Sequence, residues 1–431
     1  IVRILLIATN KNHRLMGRMN AEPAPIGLAY IAGYLNSDRH QVKILDLMFS
    51  DNYLLDIENI VTSFKPELIG ISLRNLDNVS YMDPQWALPI TKEVIDKLRL
   101  ITNAPVVCGG PGFSTLPEAC FDYLEPDLAI AGDGGESFSQ MADAMDSGED
   151  YMHLSGMMYR SDAGTLTRRG MAYSEFSKPP LLEQLDMARY EKAGFGIGVV
   201  TKLGDAFSNS IIAENNTANW RVLRPIEDVI DEVQNLKTNY KLKKIFFIDS
   251  GFNVPLPYAK SLCNAIIDQQ LDLQWSSYLA PVPESCDDEV LELMKTAGSG
   301  LVIVTNKARV DTENESLEER LGPVREVCKR CDRIGINYVI SQNFGEPGET
   351  EATVDAKLDF LRDIDPALAN LRVGVRIRPD TPTADAAIKE GIIGGEDDLI
   401  KPSFYIAEPV REWLVEKLKN EADSYPRWNL V

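Results

Sequence analysis

The chain has 431 residues, too many for one ordinary core, and at ~100–200 residues per domain two or three units are expected. With 44% hydrophobic and 25% charged residues and no apolar run near the ~18 residues of a membrane span, it reads as a soluble protein that does not cross a membrane. A formal net charge of -21 argues against nucleic-acid or anionic-membrane surfaces, which are held by Lys and Arg, and favours small-molecule partners.

The opening Ile1-Val2-Arg3-Ile4-Leu5-Leu6-Ile7 reads as a buried strand rather than a signal peptide, so a cytoplasmic location is expected. Further strands near 42–46, 68–72, 105–108 and 128–131 alternate with amphipathic stretches such as 27–36 and 88–101. That rhythm predicts a doubly wound, Rossmann-like parallel sheet over residues 1–150. Ligands of such sheets sit beyond the strand carboxyl ends. The loops there are rich in Gly, Pro and Asn: residues 9–25, 74–81, Gly109-Gly110-Pro111-Gly112 and Gly132-Asp133-Gly134-Gly135-Glu136. Glycine in such loops permits positive φ and close backbone approach to a bulky ligand, although neither is the Gly-x-Gly-x-x-Gly fingerprint, and each alone is equally readable as a tight turn.

Residues 151–190, with the Lys178-Pro179-Pro180 break, read as a linker. A second series follows over 191–385, with strands expected at 195–201, 244–249, 273–278, 300–305, 336–342 and 371–377 and helical patterns at 225–238, 256–270, 286–296 and 350–363. Six βα units predict a full or partial parallel (β/α)6 barrel with its chemistry at the strand carboxyl ends. Residues 386–431 read as a helical cap. The six cysteines, 108, 120, 263, 286, 328 and 331, are scattered, as in a reduced cytosolic protein. Cys328-x-x-Cys331 lies in a helical stretch without a second pair or a nearby His, so a structural role is expected; with only His13, His40 and His153, no multi-His metal site is expected either.

Taken together, Pro25-Ile26-Gly27-Leu28-Ala29-Tyr30-Ile31-Ala32, Gly109-Gly110-Pro111 and Gly132-Asp133-Gly134-Gly135-Glu136-Ser137-Phe138 resemble the cobalamin-binding half of cobalamin-dependent radical S-adenosylmethionine (SAM) enzymes. The resemblance continues through Trp220-Arg221-x-x-Arg224-Pro225-x-x-x-Val229, Phe246-Phe247-Ile248-Asp249-x-x-Phe252, Asn343-Phe344-Gly345-Glu346-Pro347-Gly348-Glu349-Thr350 and Arg378-Pro379-Asp380-Thr381-Pro382, in the family's order and spacing. One departure stands out. The family places Cys-x3-Cys-x2-Cys after the first barrel strand to hold a four-iron cluster; here Asp205, Asn209 and Ile212 occupy those positions. Such clusters are held overwhelmingly by thiolates, so no iron–sulfur cluster is expected.

For cobalamin, the resemblance implies Asn10, His13, Pro25, Gly27, Ser72, Arg74 and Asn75, followed by Gly109, Gly110, Pro111, Gly132, Asp133, Gly134 and Glu136. The lower axial ligand is open: the Asp-x-His-x-x-Gly pattern of methyltransferase modules fails around His13, since Lys11 precedes it by two and Met16 follows by three. For SAM it implies Asp205, Ser208 and Asn209 in the vacated cluster loop, Asp249 and Ser250 at the methionyl ammonium, and Gln342, Asn343 and Gly345 at the adenosine. Arg376 or Arg378 would pair with the carboxylate, with surface salt bridging as the competing reading of both. Asp205, Asn209 and Tyr278 are the candidate catalytic residues. Where the family shows an acidic-glycine-serine turn after the fourth strand, this chain has Thr305-Asn306-Lys307.

Without a cluster the SAM sulfonium remains a two-electron electrophile and reduced cobalamin a nucleophile, so polar alkyl chemistry stays open. Two reactions fit: methyl transfer to an acceptor, or cyclisation of SAM to 1-aminocyclopropane-1-carboxylate with release of methylthioadenosine. The alternative is an inactive cobalamin- and SAM-binding partner or sensor.

Overall fold

The computed structural model describes residues 1–11, 22–175, 177–193, 196–205, 219–305 and 316–431, without the side chains at 193, 205, 219–221, 283 and 397. The first sheet carries β1 (Val2–Ala8), β2 (His40–Asp46), β3 (Leu68–Ser72), β4 (Val106–Gly109) and β5 (Leu128–Ile130), parallel throughout. Its order β2-β1-β3-β4-β5 reverses at β1 and β3, the switch point at which doubly wound sheets bind ligands. The near-continuous apolar strands follow from helices covering both faces: β1 buries Ile4, Leu5, Leu6 and Ile7 completely or nearly so. All five strands lie where the apolar runs predict them.

Residues 151–190, expected as a linker, extend this sheet. A hairpin of β6 (Met157–Arg160) and β7 (Leu166–Arg168) adds antiparallel to β5. Gly156 and Gly164 hold positive φ at its turns, and the Met157 and Met158 side chains are fully buried. Two short strands of mixed character left too little alternation to be legible in the sequence.

The second unit begins with β8 (Ile197–Val199) and an antiparallel pair, β9 (Lys202–Asp205) with β10 (Asn219–Leu223). It continues through β11 (Lys244–Phe247), β12 (Gln274–Leu279), β13 (Ser299–Val304), β14 (Asn337–Phe344) and β15 (Leu368–Val373), each a predicted strand. The sixth ends earlier than expected because Gly374 turns the chain with φ 70°, after which β16 (Val375–Arg376) pairs antiparallel with β17 (Phe404–Tyr405). The expected helical cap contains the helix Leu414–Ser424 and the end of the helix Pro382–Lys389, but it ends in β18 (Trp428–Leu430), a seventh parallel strand beside β15. The order is β18-β15-β14-β13-β12-β11-β8, an open rather than closed barrel among the described residues.

Strand alternation sets what this curved sheet offers each side. Ile245, Phe247, Trp275, Leu279, Val302, Val304, Leu371 and Val373 pack into the layer under the helices. Their alternates, Phe246, Tyr278, Ile303 and Arg372, face the concave side. All six cysteines are free and buried. Among the described residues no helix is long and apolar enough to cross a membrane.

Buried polar contacts fasten the two units together. Arg224 Nη1 lies 2.8 Å from Glu232 and donates to the Val200 carbonyl at 2.6 Å and to the Tyr30 hydroxyl at 3.2 Å. Tyr30 OH donates to Glu232 at 2.8 Å. On the far side Arg376 Nε donates to Asp77 at 2.7 Å, and Trp86 Nε1 donates to the Ile400 carbonyl.

Candidate functional site

The carboxyl ends of the first sheet and the concave face of the second enclose one cavity of about 820 Å³. Asn10, Ser72, Gly109, Gly110, Gly132 and Asp133 line one side; Gly198, Val200, Phe246, Ile248, Tyr278 and Ile303 line the other. This volume lies towards the upper end of the ~300–1,000 Å³ usual for small-molecule sites. It is bounded by apolar barrel side chains opposite backbone-rich loops, an arrangement suited to a large, flat ligand with a polar rim.

The glycines contribute in two distinct ways. Gly27 opens the helix Ile26–Tyr34, lines the cavity, and a Cβ built on it would meet no atom within 4 Å. Its missing side chain is open space for a ligand. Gly110 instead has φ 98°, and a Cβ there would lie 2.7 Å from the Leu73 carbonyl oxygen and 2.8 Å from Ser72 Oγ. Gly132, φ 101°, is likewise pressed against the Ala172 backbone. Gly110 and Gly132 are therefore required by the fold itself, tied together by Ser114, whose hydroxyl donates to the Gly110 carbonyl and accepts from the Gly132 amide. Gly110→Val is expected to cost more than ~2 kcal/mol in urea unfolding of the cofactor-free protein, combining positive-φ strain with backbone overlap. An unchanged unfolding midpoint would show that the loop yields easily.

Asn10 is 5% exposed, donates through Nδ2 to Asp46 at 2.9 Å, and keeps its amide oxygen buried without a donor among the described residues. Tyr190 OH holds the other Asp46 oxygen at 2.5 Å, so the Asn10 orientation is fixed from behind. An orphaned acceptor beside a large cavity fits a ligand edged with amide donors, as a corrin is.

Residues 14–142 match the B12 binding domain family. The amino-terminal unit is a B12-binding domain. Over its whole length the chain has the fold of cobalamin-dependent radical SAM enzymes. It superposes on the radical SAM methyltransferase TsrM from Kitasatospora setae, solved with tryptophan substrate and a SAM analogue, with TM-score 0.83, 22% identity and coverage of 100% of this chain and 92% of that one. The same enzyme has been solved with cobalamin and a 4Fe-4S cluster bound. Cobalamin-dependent OxsB gives TM-score 0.73 at 14% identity over 98% of this chain and 67% of that chain. Among curated proteins, tryptophan 2-C-methyltransferase of Streptomyces laurentii is 24% identical over 83% of this chain and 70% of its own length. An uncharacterized methyltransferase of Pyrococcus horikoshii is 24% identical over 85% and 79%.

Of the residues expected to contact cobalamin, the B12-binding domain brings Asn10, Pro25, Gly27, Ser72, Arg74 and Asn75 to the cavity wall, together with Gly109, Gly110, Pro111, Gly132, Asp133 and Gly134. Glu136 stands off that wall and accepts from the Glu175 amide at 3.1 Å. His13 lies outside the described residues.

The expected SAM residues divide more sharply. Ser208 and Asn209 lie outside the described residues, as does the Asp205 side chain; Asp205 ends β9, two residues after the cavity residue Leu203. Asp249, 5% exposed, is occupied: it accepts from the Thr201 and Lys202 amides at 2.9 and 3.1 Å and from the Thr201 hydroxyl. Lys202 Nζ sits 3.9 Å from it with both side chains fully buried, and donates to the Gly251 and Phe252 carbonyls. Burial pushes the Lys202 ammonium down to about 8, against the pull of Asp249. In place of a ligand ammonium, Asp249 therefore binds the start of β9, which leads into the vacated cluster loop. Ser250 sits in the turn that follows it.

Gln342 alternates with Ile340 and Phe344 towards the helices and donates to the Asn343 carbonyl, whereas Asn343 faces the concave side. Gly345 has φ 93° and donates to Glu349, which with Glu346 is held by buried Lys357 at 2.6 and 2.8 Å. This glycine–glutamate turn is a structural corner. Arg376 is spent on Asp77 and on the Ile377 and Leu399 carbonyls, which corrects its assignment to a ligand carboxylate. Arg378 makes no such hydrogen bond or ion pair among the described residues. Tyr278, a candidate catalytic residue, lines the cavity and meets Phe246 edge-on at 5.3 Å, and burial raises its hydroxyl pKa above the ordinary phenol value, keeping it protonated. Sequence reasoning passed over the cavity residues Phe246, Ile248 and Ile303; their strand parity was the available signal.

Proposed function

We propose that the protein is a cobalamin- and SAM-dependent enzyme of methyltransferase type that moves an alkyl group by two-electron chemistry without an iron–sulfur cluster. The observation carrying this reading is the single cavity running from the B12-binding loops to the concave barrel face, so that a corrin seated on the loops turns one face towards Phe246, Ile248, Tyr278 and Ile303. The relatives named as methyltransferases support the reaction class. Bound cobalamin supplies a nucleophilic cobalt and SAM an electrophilic sulfonium.

The chain supplies the surroundings. The apolar concave residues exclude water, and the protonated Tyr278 hydroxyl is available as a hydrogen-bond donor in that dry space. Asp205, Ser208 and Asn209 are assigned to the SAM amine in place of the cluster, and Asn343 to the adenosine. The absence of a cluster is supported by the sequence: residues 206–218 contain no cysteine, and the six cysteines lie elsewhere, buried. Burial drives those thiols away from the thiolate form that binds iron, Cys120, Cys263 and Cys331 up to about 12.

Incubation of protein with SAM and reduced cobalamin, read by mass spectrometry, is expected to yield S-adenosylhomocysteine. Methylthioadenosine with 1-aminocyclopropane-1-carboxylate would assign cyclisation instead, and neither product would leave a binding protein. Anaerobic reconstitution is expected to leave well under one iron per chain; about four irons with a cluster absorbance band would overturn the cluster-free reading.

A further inference from the structure

Residues 171–175 lie beyond residues 14–142, which match the B12 binding domain, yet they are laced to that domain along the cavity. The Ala172 amide donates to the Ala131 carbonyl at 2.8 Å, and the Ala172 carbonyl accepts from the Asp133 amide at 3.0 Å. Two glycines make this approach possible: a Cβ on Gly132 would lie 2.3 Å from the Ala172 carbonyl oxygen, and one on Gly156 would lie 2.8 Å from the Ala172 Cβ. On the other side, the Ser174 hydroxyl meets the Tyr34 hydroxyl at 2.6 Å, and the Glu175 amide donates to Glu136 at 3.1 Å. Between these anchors Ala172 and Ser174 are buried, whereas Tyr173 is 64% exposed and lines the cavity.

A single exposed aromatic ring on an open surface is ordinary. Tyr173 differs because bonds on both sides of it fix its backbone on the wall of a cavity of about 820 Å³. A residue whose backbone is held in advance loses less freedom when a ligand covers it, and stacking adds to the gain from the apolar area removed from water. We propose that Tyr173 is a cobalamin contact supplied from outside the B12-binding domain, its ring laid against a flat part of the cofactor, the corrin rim or the benzimidazole base. The segment that carries it, read from sequence as a linker, thereby completes the cofactor site. This inference rests on cobalamin being the occupant of the cavity and is independent of SAM chemistry and of the cluster.

The test titrates the full chain, cofactor-free, with hydroxocobalamin and with cobinamide, which lacks the base, followed by corrinoid absorbance. Tyr173→Phe is expected to bind within about twofold of the parent, and Tyr173→Ala about five- to thirtyfold more weakly, with its unfolding midpoint unchanged. A loss shared by cobinamide assigns the ring to the corrin rim; a loss confined to cobalamin assigns it to the base. Equal affinity of parent and Tyr173→Ala, or an equal loss in Tyr173→Phe and Tyr173→Ala, would overturn the ring contact. A second measurement needs no variant. Acetylation of the parent by N-acetylimidazole, mapped by peptide mass spectrometry, is expected to fall severalfold at Tyr173 under saturating cobalamin. Tyr81, 39% exposed and not part of the cavity wall, should be modified as before. Undiminished labelling of Tyr173 in the saturated protein would overturn the contact while leaving cobalamin binding intact. A parent that binds neither corrinoid would overturn both the contact and the proposed cofactor.

Discussion

Arg224→Met is expected to lower stability by about 3–5 kcal/mol, the usual cost of orphaning one member of a buried ion pair. Arg224 and Glu232 are each 3% exposed at the side chain, and Arg224 also satisfies the Val200 carbonyl beside the cavity. Burial already raises the Glu232 carboxyl above its ordinary value, with Arg224 and Tyr30 opposing the rise. Without the guanidinium it rises further, so the folded variant holds a proton that the unfolded chain releases above about 4.5. Stability of the variant should therefore fall as pH rises from about 5 to 8, because the unfolded state binds fewer protons there. Urea unfolding of parent and variant across that range measures both effects. Arg224→Met/Glu232→Leu should recover much of the loss by removing the second charge. A variant within about 1 kcal/mol of the parent at pH 8 would show that the network does not hold the units together.

The second large effect concerns cobalamin. Gly27→Phe places a ring into the cavity from a position where a Cβ meets no protein atom within 4 Å, so the helix is expected to tolerate it. A ligand seated there must then shift or overlap the ring, and an overpacking cost of ~1–3 kcal/mol predicts about five- to hundredfold weaker cobalamin binding. Gly27→Ala serves as the control and should bind nearly as the parent. Binding titrations followed by cobalamin absorbance, with unfolding midpoints alongside, separate the outcomes. Undiminished affinity in a folded Gly27→Phe would place the corrin away from this helix. The contrast with Gly110, where a side chain collides with Leu73, shows why glycines in resembling motifs need to be examined one at a time.

The sequence by itself determined the two series of parallel strands and where most of those strands fall along the chain, because an apolar run of four to eight residues between glycine-rich turns is a local signal that long helices do not mimic. It also determined that residues 206–218 lack thiols, a matter of composition alone. Most of the cavity wall on the B12-binding side was legible too, from loops at strand ends. Only the tertiary structure decided which polar groups were free to meet a ligand. Asp249 and Arg376 look like ligand contacts in a motif, yet Lys202 with the Thr201 amide and Asp77 claim them, partners 47 or 48 residues away in one case and 299 in the other. Arg372 looks like any strand residue until parity turns it inward, with its buried Nε lacking a hydrogen-bond partner among the described residues. Hydrogen-bond partnership is settled between chain segments far apart in sequence, and local spacing carries no record of it.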